Sequence, residues 1–361
     1  MEAAVTLPAS LSPALNLGSV EAMLLAQRHG QKAASRAMTL NLIVPAADSA
    51  DAREVATRLA MLARRHPGRV LLIVPQAGAG PAWTARVLPA AELAQERVCS
   101  EIVQLEAGPA ALDFAASAVS PLLHGGLPVF LWWRGAPPWD DTRFHQLAAI
   151  ADRVLLDGEE LKLDPAAYRR LAALQSTLRP GCGLTDLVWA RLTPWRRLLA
   201  QGTDLRHLAR LEQLTITSCC GQPALNGASL LLAGWFMSVL GWELDGAMAI
   251  DELQLRHGAG HGIRLRFVAS DEGDARALLQ RVSLSAQGDA AALQVERQGP
   301  YLRVTAHREG VPLGTSAAEF PFMDAFTALR EELAIVGPDA LFQGALHAAA
   351  AIARTLEAPK T

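Results

Sequence analysis

The chain has 361 residues, a net charge of -3, 19% charged residues and 51% hydrophobic residues. That length allows two domains with cores of their own, and the composition is that of a packed chain rather than a disordered one. The near-neutral balance argues against bulk electrostatic binding to nucleic acid or an anionic membrane, and four cysteines in so long a chain do not make a disulfide framework.

Residues 1–36 read as a leader, with a short helix over Glu21–His29. A Rossmann-like α/β domain is expected over 37–160. It opens with the strand Thr39–Pro45, TLNLIVP, then a helix over Asp51–Arg65 with Val55, Leu59 and Leu62 at helical spacing. The turn HPGR leads to a buried strand at Val70–Val74, which completes a βαβ unit. Trp83–Leu88 and Val98–Leu105 read as strands, and Ala110–Leu123 as a helix. Pro128–Trp132 is the central strand. Thr142–Ile150 is a helix and Arg153–Asp157 the last strand. The whole is a doubly wound, mostly parallel sheet.

The remainder, 161–361, reads as a helical linker and then an α+β domain with an antiparallel sheet. A helix is expected over Leu161–Leu178, then a turn at RPGCG. The next helix, over Asp186–Gln201, has Thr185 as its cap and is broken at Pro194. Leu211–Ser218 alternates like a strand, and Ala228–Leu240 is an apolar helix too short to span a bilayer. Five strands follow, at Ile250–Arg256, Ile263–Val268, Val282–Ala286, Ala292–Glu296 and Leu302–His307, with a helix over Gly273–Gln280 among them. Helices over Asp324–Leu333 and Ala340–Leu356 close the chain. Met1 to Pro13 lacks the basic start and apolar core of a secretory signal, so the expected location is the cytoplasm.

No dinucleotide fingerprint follows the first strand, where the chain reads VPAADSAD, and no phosphate-loop lysine or G-x-S-x-G elbow appears. His257 and His261 sit among glycines between two predicted strands, which fits a hairpin better than a metal site. No cofactor and no metal are expected. The residues that stand out are aromatic and basic. In LPVFLWWRGAPP, Trp132, Trp133 and Arg134 fall at the carboxyl end of the central strand, with Trp139 just beyond. In DLVWARLTPWRRLLAQ, Trp189, Arg191, Trp195 and Arg196 form a second group. Indoles and guanidiniums are favoured interface anchors, so these eight are the candidate contact residues, against the alternative that they cement the cores. Cys182, Cys219 and Cys220 are the redox candidates, with buried inert thiols as the plainer reading.

The motifs TLNLIV, RRHPGRVLLI, CSEIVQL, LPVFLWWRGAPP, FHQLAAIADRVLLDG, DLVWARLTPWRRLLAQ and LLAGWFMSVLGWEL occur in this order along nearly the whole chain. In this the chain resembles the OpcA family, the glucose-6-phosphate dehydrogenase assembly proteins. The resemblance implies a non-catalytic cytoplasmic factor that binds glucose-6-phosphate dehydrogenase and supports its assembly or allosteric activation, hence the oxidative pentose phosphate pathway and NADPH supply. The resemblance does not supply contact residues or a cysteine pattern. The alternative is a metabolite- or nucleotide-binding redox sensor, with a pocket beside Arg134 and either Ala46–Ser49 or Gly78–Gly80 approaching a phosphate.

Overall fold

The computed structural model describes residues 4–5, 17–30, 38–62, 65–77, 83–88, 100–134, 138–160, 162, 164–202, 211–258, 260, 262–286, 293–308 and 311–357. The chain folds as two compact units. The first comprises Met1–Leu161, Leu178–Leu187 and Ala325–Pro338, and the second Lys162–Thr177, Val188–Asp324 and Asp339–Thr361. Where the sequence suggests one cut near residue 160, the units are interleaved: 178–187 and 325–338 return to the first.

The first unit is built on a sheet of β1 (Ala4–Val5), β2 (Leu40–Pro45), β3 (Gly68–Pro75), β4 (Thr84–Leu88), β5 (Glu101–Ala107), β6 (Val129–Trp132), β7 (Arg153–Leu156) and β8 (Gly183–Asp186). Their spatial order is β1-β4-β5-β3-β2-β6-β7-β8. Six strands, β5 to β8 in that order, are parallel, while β4 and β1 add an antiparallel edge. Numbered along the chain, the parallel strands lie in the order 3-2-1-4-5-6, the doubly wound arrangement. The near-continuous apolar runs of β3, β6 and β7 follow from burial on both faces, and β5 is buried along its whole length with Glu101, Gln104 and Glu106 in it.

Part of the stretch read as a leader belongs to this unit. Ala4–Val5 pairs with β4, and Glu21, on the helix Leu17–Gly30, accepts from Arg69 Nη1 at 2.9 Å. Arg69 is buried and also donates to Glu101 at 2.8 Å and to the Leu122 carbonyl at 2.6 Å. Buried Arg153 is clasped in the same way, by Glu332 at 2.7 Å, Thr185 and the Gly337 carbonyl. That clasp draws on the helix Ala325–Glu332 and the turn after it. Gly183 lies so close to the Gly337 carbonyl that a Cβ would overlap it.

The second unit carries a sheet of β9 (Leu211–Ser218), β10 (Glu243–Ala249), β11 (Glu252–Arg256), β12 (Gly262–Ala269), β13 (Leu279–Ala286), β14 (Leu293–Gln298), β15 (Tyr301–Arg308) and β16 (Val311–Glu319). Its order is β10-β11-β12-β9-β13-β14-β15-β16, antiparallel except where β12 lies parallel to β9. Burial alternates along β11, β12 and β13, as in a sheet packed on one face only. The helix Gly227–Leu240 starts with a capping box between Asn226 and Ser229 and stops at Gly241, whose φ is 66°. It meets the helix Ala340–Glu357 at Gly234, where a Cβ would strike the Ala345 carbonyl.

Several local expectations give way. The helix over 110–123 is three short pieces, Pro109–Leu112, Ala115–Val119 and the 3-10 turn Ser120–Leu122, because Phe114 leaves helical geometry and Pro121 lacks an N–H. Residues 273–278 are turns and bends; Gly273 has φ +101° and β13 begins at Leu279. Thr185 is no cap: it is a buried strand residue of β8 that accepts from Arg153. The helix break near Pro194 is present, between Leu187–Arg191 and Thr193–Gly202.

Candidate functional site at the strand-order reversal

Doubly wound sheets meet ligands outside the carboxyl ends of the strands where the order reverses, here around β2. A pocket of about 230 Å³ opens there. Ile73, Leu112, Ala115, Trp133 and Leu147 give it apolar walls, Pro45 to Ala47 form one side, and Arg134, Asp141 and Arg143 are its charged groups.

The turn from β2 into the helix Ser49–Leu62 satisfies three of its N–H groups with its own carboxylates. Asp48 Oδ1 accepts from Ala50 N at 2.7 Å and Asp51 N at 2.9 Å, and Asp51 Oδ2 accepts from Ala47 N at 2.9 Å. The N–H groups of Asp51 and Ala50 hold the Asp48 carboxyl below its ordinary range. A helix N-terminus ordinarily offers such donors to a phosphate. Here two carboxylates already occupy them, and their charge opposes a second anion.

Arg134 spans the same turn, donating to Asp51 Oδ1 at 2.7 Å and to Glu160 Oε1 at 2.9 Å. Burial works against its charge, but the two carboxylates outweigh that and hold the guanidinium above its ordinary range. On the other side of the pocket Asp141 caps the helix Thr142–Ile150, accepting from Arg143 N at 2.9 Å and Phe144 N at 3.4 Å. The Arg143 side chain closes a fork on the same carboxylate at 3.0 and 2.6 Å. That pair lowers the Asp141 pKa, Arg143 being the largest cause.

The structure corrects the reading of the indoles as an outward surface. Trp132, Trp133, Trp189 and Trp195 are exposed by only 0%, 6%, 2% and 3%. Trp132 packs edge-on against Phe326 at 5.1 Å, and Trp133 against Phe144 at 5.2 Å. In the second unit Trp189 meets Phe342 at 5.7 Å, and its indole N–H donates to Asp339 at 3.0 Å. Arg196 stacks 3.3 Å from the Trp189 ring and donates to the Trp189 carbonyl and to Thr193. Arg191 donates to the Met323 carbonyl at 2.9 Å. Trp139, Arg134, Arg191 and Arg196 are half-buried. Only Trp133 and Arg134 of the eight line the pocket. Asp48 and Asp51, which cap the turn beside the pocket, were signalled by the D-S-A-D run at the helix start.

Cys182 and Cys219 are buried, and Cys220 is half-buried. Burial pushes the Cys182 thiol up, and pushes Cys219 up to about 11. A thiol so held is a poor nucleophile at neutral pH. Among the described residues no cluster of three His, Cys, Asp or Glu side chains could hold a metal, and no helix is long and apolar enough to cross a membrane. Cys99, His261 and Gly78–Gly80 lie outside the described residues.

Two family models match the chain. Residues 60–173 match the glucose-6-phosphate dehydrogenase subunit N-terminal domain of OpcA type, and residues 182–346 the corresponding C-terminal domain. The chain belongs to the OpcA family. An OpcA of Nostoc punctiforme, named provisionally as an OxPP cycle protein, is 29% identical over 236 residues, covering 63% of this chain and 48% of its own. The OpcA of Synechococcus elongatus, named in the same way, is 24% identical over 254 residues, 66% of this chain and 54% of its own. The chain thus spans about half the length of these curated OpcA relatives. Among solved structures, a 3-ketoreductase variant from Actinomadura kijaniata aligns with 87% of this chain and 96% of its own at 16% identity and a TM-score of 0.47. An oxidoreductase domain protein from Kribbella flavida aligns with 89% and 96% at 10% identity and a TM-score of 0.49. Likeness at this level says nothing of chemistry.

Proposed function

We propose that this OpcA-family chain is a non-catalytic factor of the cytoplasm that binds glucose-6-phosphate dehydrogenase, supports its assembly and activates it allosterically, and so sustains NADPH supply. The observation that carries the non-catalytic part is the turn after β2. Asp48 and Asp51 occupy N–H donors of this turn that a dinucleotide phosphate would otherwise use, which weighs against a redox cofactor seated there. The partner is inferred from the family description over both halves of the chain.

An activator shifts an equilibrium only by its difference in affinity between two states, and a coupling of about 1–3 kcal/mol is typical. The test is to assay the dehydrogenase with and without this chain across glucose 6-phosphate concentrations, and to follow its oligomer size by light scattering. A change in half-saturation or oligomer size is expected; identical curves and sizes overturn the reading. The redox-sensor alternative draws on the pocket beside Arg134. It predicts thermal stabilisation of the chain alone by NADPH, which the carboxylate-filled turn opposes.

A further inference from the structure

We infer that the pocket at the carboxyl ends of β2, β3 and β6 receives one apolar side chain from a neutral or basic segment of the partner protein. The inference rests on the proposed function for the partner's identity, and adds where it is held and by what chemistry. Three observations lead there. The walls are apolar, built by Ile73, Leu112, Leu147 and the Trp133 ring, so the occupant's buried part is apolar. The volume of about 230 Å³ is below the roughly 300–1,000 Å³ of sites for cofactors and comparable ligands, and suits a large side chain.

The ion pairs disfavour an anion. Two guanidiniums, Arg134 and Arg143, are answered by the carboxylates of Asp51, Glu160 and Asp141, and behind the turn Asp48 is answered by Arg53, four carboxylates against three guanidiniums. The ion pairs are therefore complete within the chain, with a surplus of negative charge. A phosphate or nucleotide would have to displace them. A segment without acidic residues would meet the surplus favourably. At the rim, Arg143 forks onto Asp141 through Nε and Nη2, which leaves Nη1 for a backbone carbonyl of the bound segment. An apolar anchor in a pocket with a polar rim is the arrangement of a binding hot spot.

Ala47 lines the pocket from the exposed side of the turn, so a large residue there plugs the mouth without entering the core. The experiment measures binding of the full chain to the dehydrogenase of the same organism for wild type, Ala47→Trp and Ala47→Ser. The expected result is at least a tenfold loss of affinity for Ala47→Trp and none for Ala47→Ser, at unchanged circular dichroism. Wild-type affinity in a folded Ala47→Trp overturns this inference alone. No binding by the wild-type chain overturns the proposed function and this inference with it. As a second readout that does not depend on the Trp variant, a benzophenone amino acid at position 47 should crosslink to one apolar residue of the dehydrogenase. Crosslinks scattered over its surface, or NADPH stabilisation that Ala47→Trp abolishes, would also overturn the inference.

Discussion

Each unit buries a tryptophan beside a guanidinium and under a phenylalanine from the last forty residues, yet the two clusters are completed differently. In the second unit Trp189 has every polar need met: its N–H reaches Asp339, and Arg196 stacks at 3.3 Å while donating to neutral oxygens. In the first, the Trp132 N–H finds no acceptor among the described residues, and Arg134, at 5.1 Å from the ring, is turned toward Asp51 and Glu160. One cluster is a hydrogen-bonded core post. The other trades indole satisfaction for an ion-pair bridge at the edge of a pocket. Identical residue types, W and R a few positions apart, thus carry different physics according to what packs over them.

The largest expected contrast comes from removing the indole nitrogen from each. Trp189→Phe breaks a hydrogen bond to the Asp339 carboxylate, leaves its Oδ2 without that donor and removes buried ring volume, so a loss of about 2–3 kcal/mol is expected. Trp132→Phe also removes ring volume but deletes a buried donor that has no partner among the described residues, so its cost should stay under about 1 kcal/mol. Urea unfolding of both variants checks the difference; equal losses would mean that the two indoles are equivalent after all. Next in size is Asp339→Ala. Asp339 accepts from Trp189 through Oδ2, and through Oδ1 from Leu341 N at 2.9 Å and Phe342 N at 3.2 Å, so one residue caps the last helix and anchors the indole. A loss of about 2 kcal/mol is expected. Asp339→Asn, which keeps an acceptor oxygen, should lose less than half of that.

Arg134→Met tests the other cluster. It strands two partly exposed carboxylates, so about 1–2 kcal/mol is expected. Because the pairs are reached by solvent, the difference from wild type should shrink in about 1 M salt, whereas that of Trp189→Phe should not. Thermal unfolding at two ionic strengths separates the two behaviours.

The burial of these indoles was not legible in the local sequence, for a physical reason. Phe326 and Phe342 cover them from more than 150 residues away, and no periodicity in LWWRG or WARLTPW encodes that. The parallel strands were legible because burial on both faces writes an unbroken apolar run, as in GRVLLIVP. The helix Thr142–Ile150 was marked at its start by the Asp141 cap. β8, Gly183–Asp186, was missed because GLTD is short and half polar, and its buried polar residues find partners far along the chain or beyond the strand, Arg153 for Thr185 and the N–H of Gly158 for Asp186. β16 was missed because VPLGTSAAE holds Pro and Gly, tolerable in an edge strand. Of the pocket, Arg134 was anticipated. Its two carboxylate partners lie far apart along the chain, Asp51 at the start of the helix after β2 and Glu160 beyond β7, so no local motif joins them to it.

The smallest expected effect separates the thiols. Cys182 in the first unit and Cys219 in the second are both raised by burial, and Cys219 sits 3.4 Å from Gln280 Oε1. A thiol whose folded pKa exceeds its unfolded value keeps its proton longer in the folded chain. Its contribution to stability is whole below the unfolded value, 9.0, and declines as pH rises toward about 11, because the unfolded chain ionises first. Wild-type stability should therefore fall more steeply between pH 9 and about 11 than that of Cys219→Ala, measured by urea unfolding across that window. Under native conditions at neutral pH a thiol reagent should reach half-buried Cys220 first, with Cys182 and Cys219 reacting only on unfolding. Fast labelling of Cys182 or Cys219 in the folded chain would restore them as redox candidates and remove the parallel between the two units.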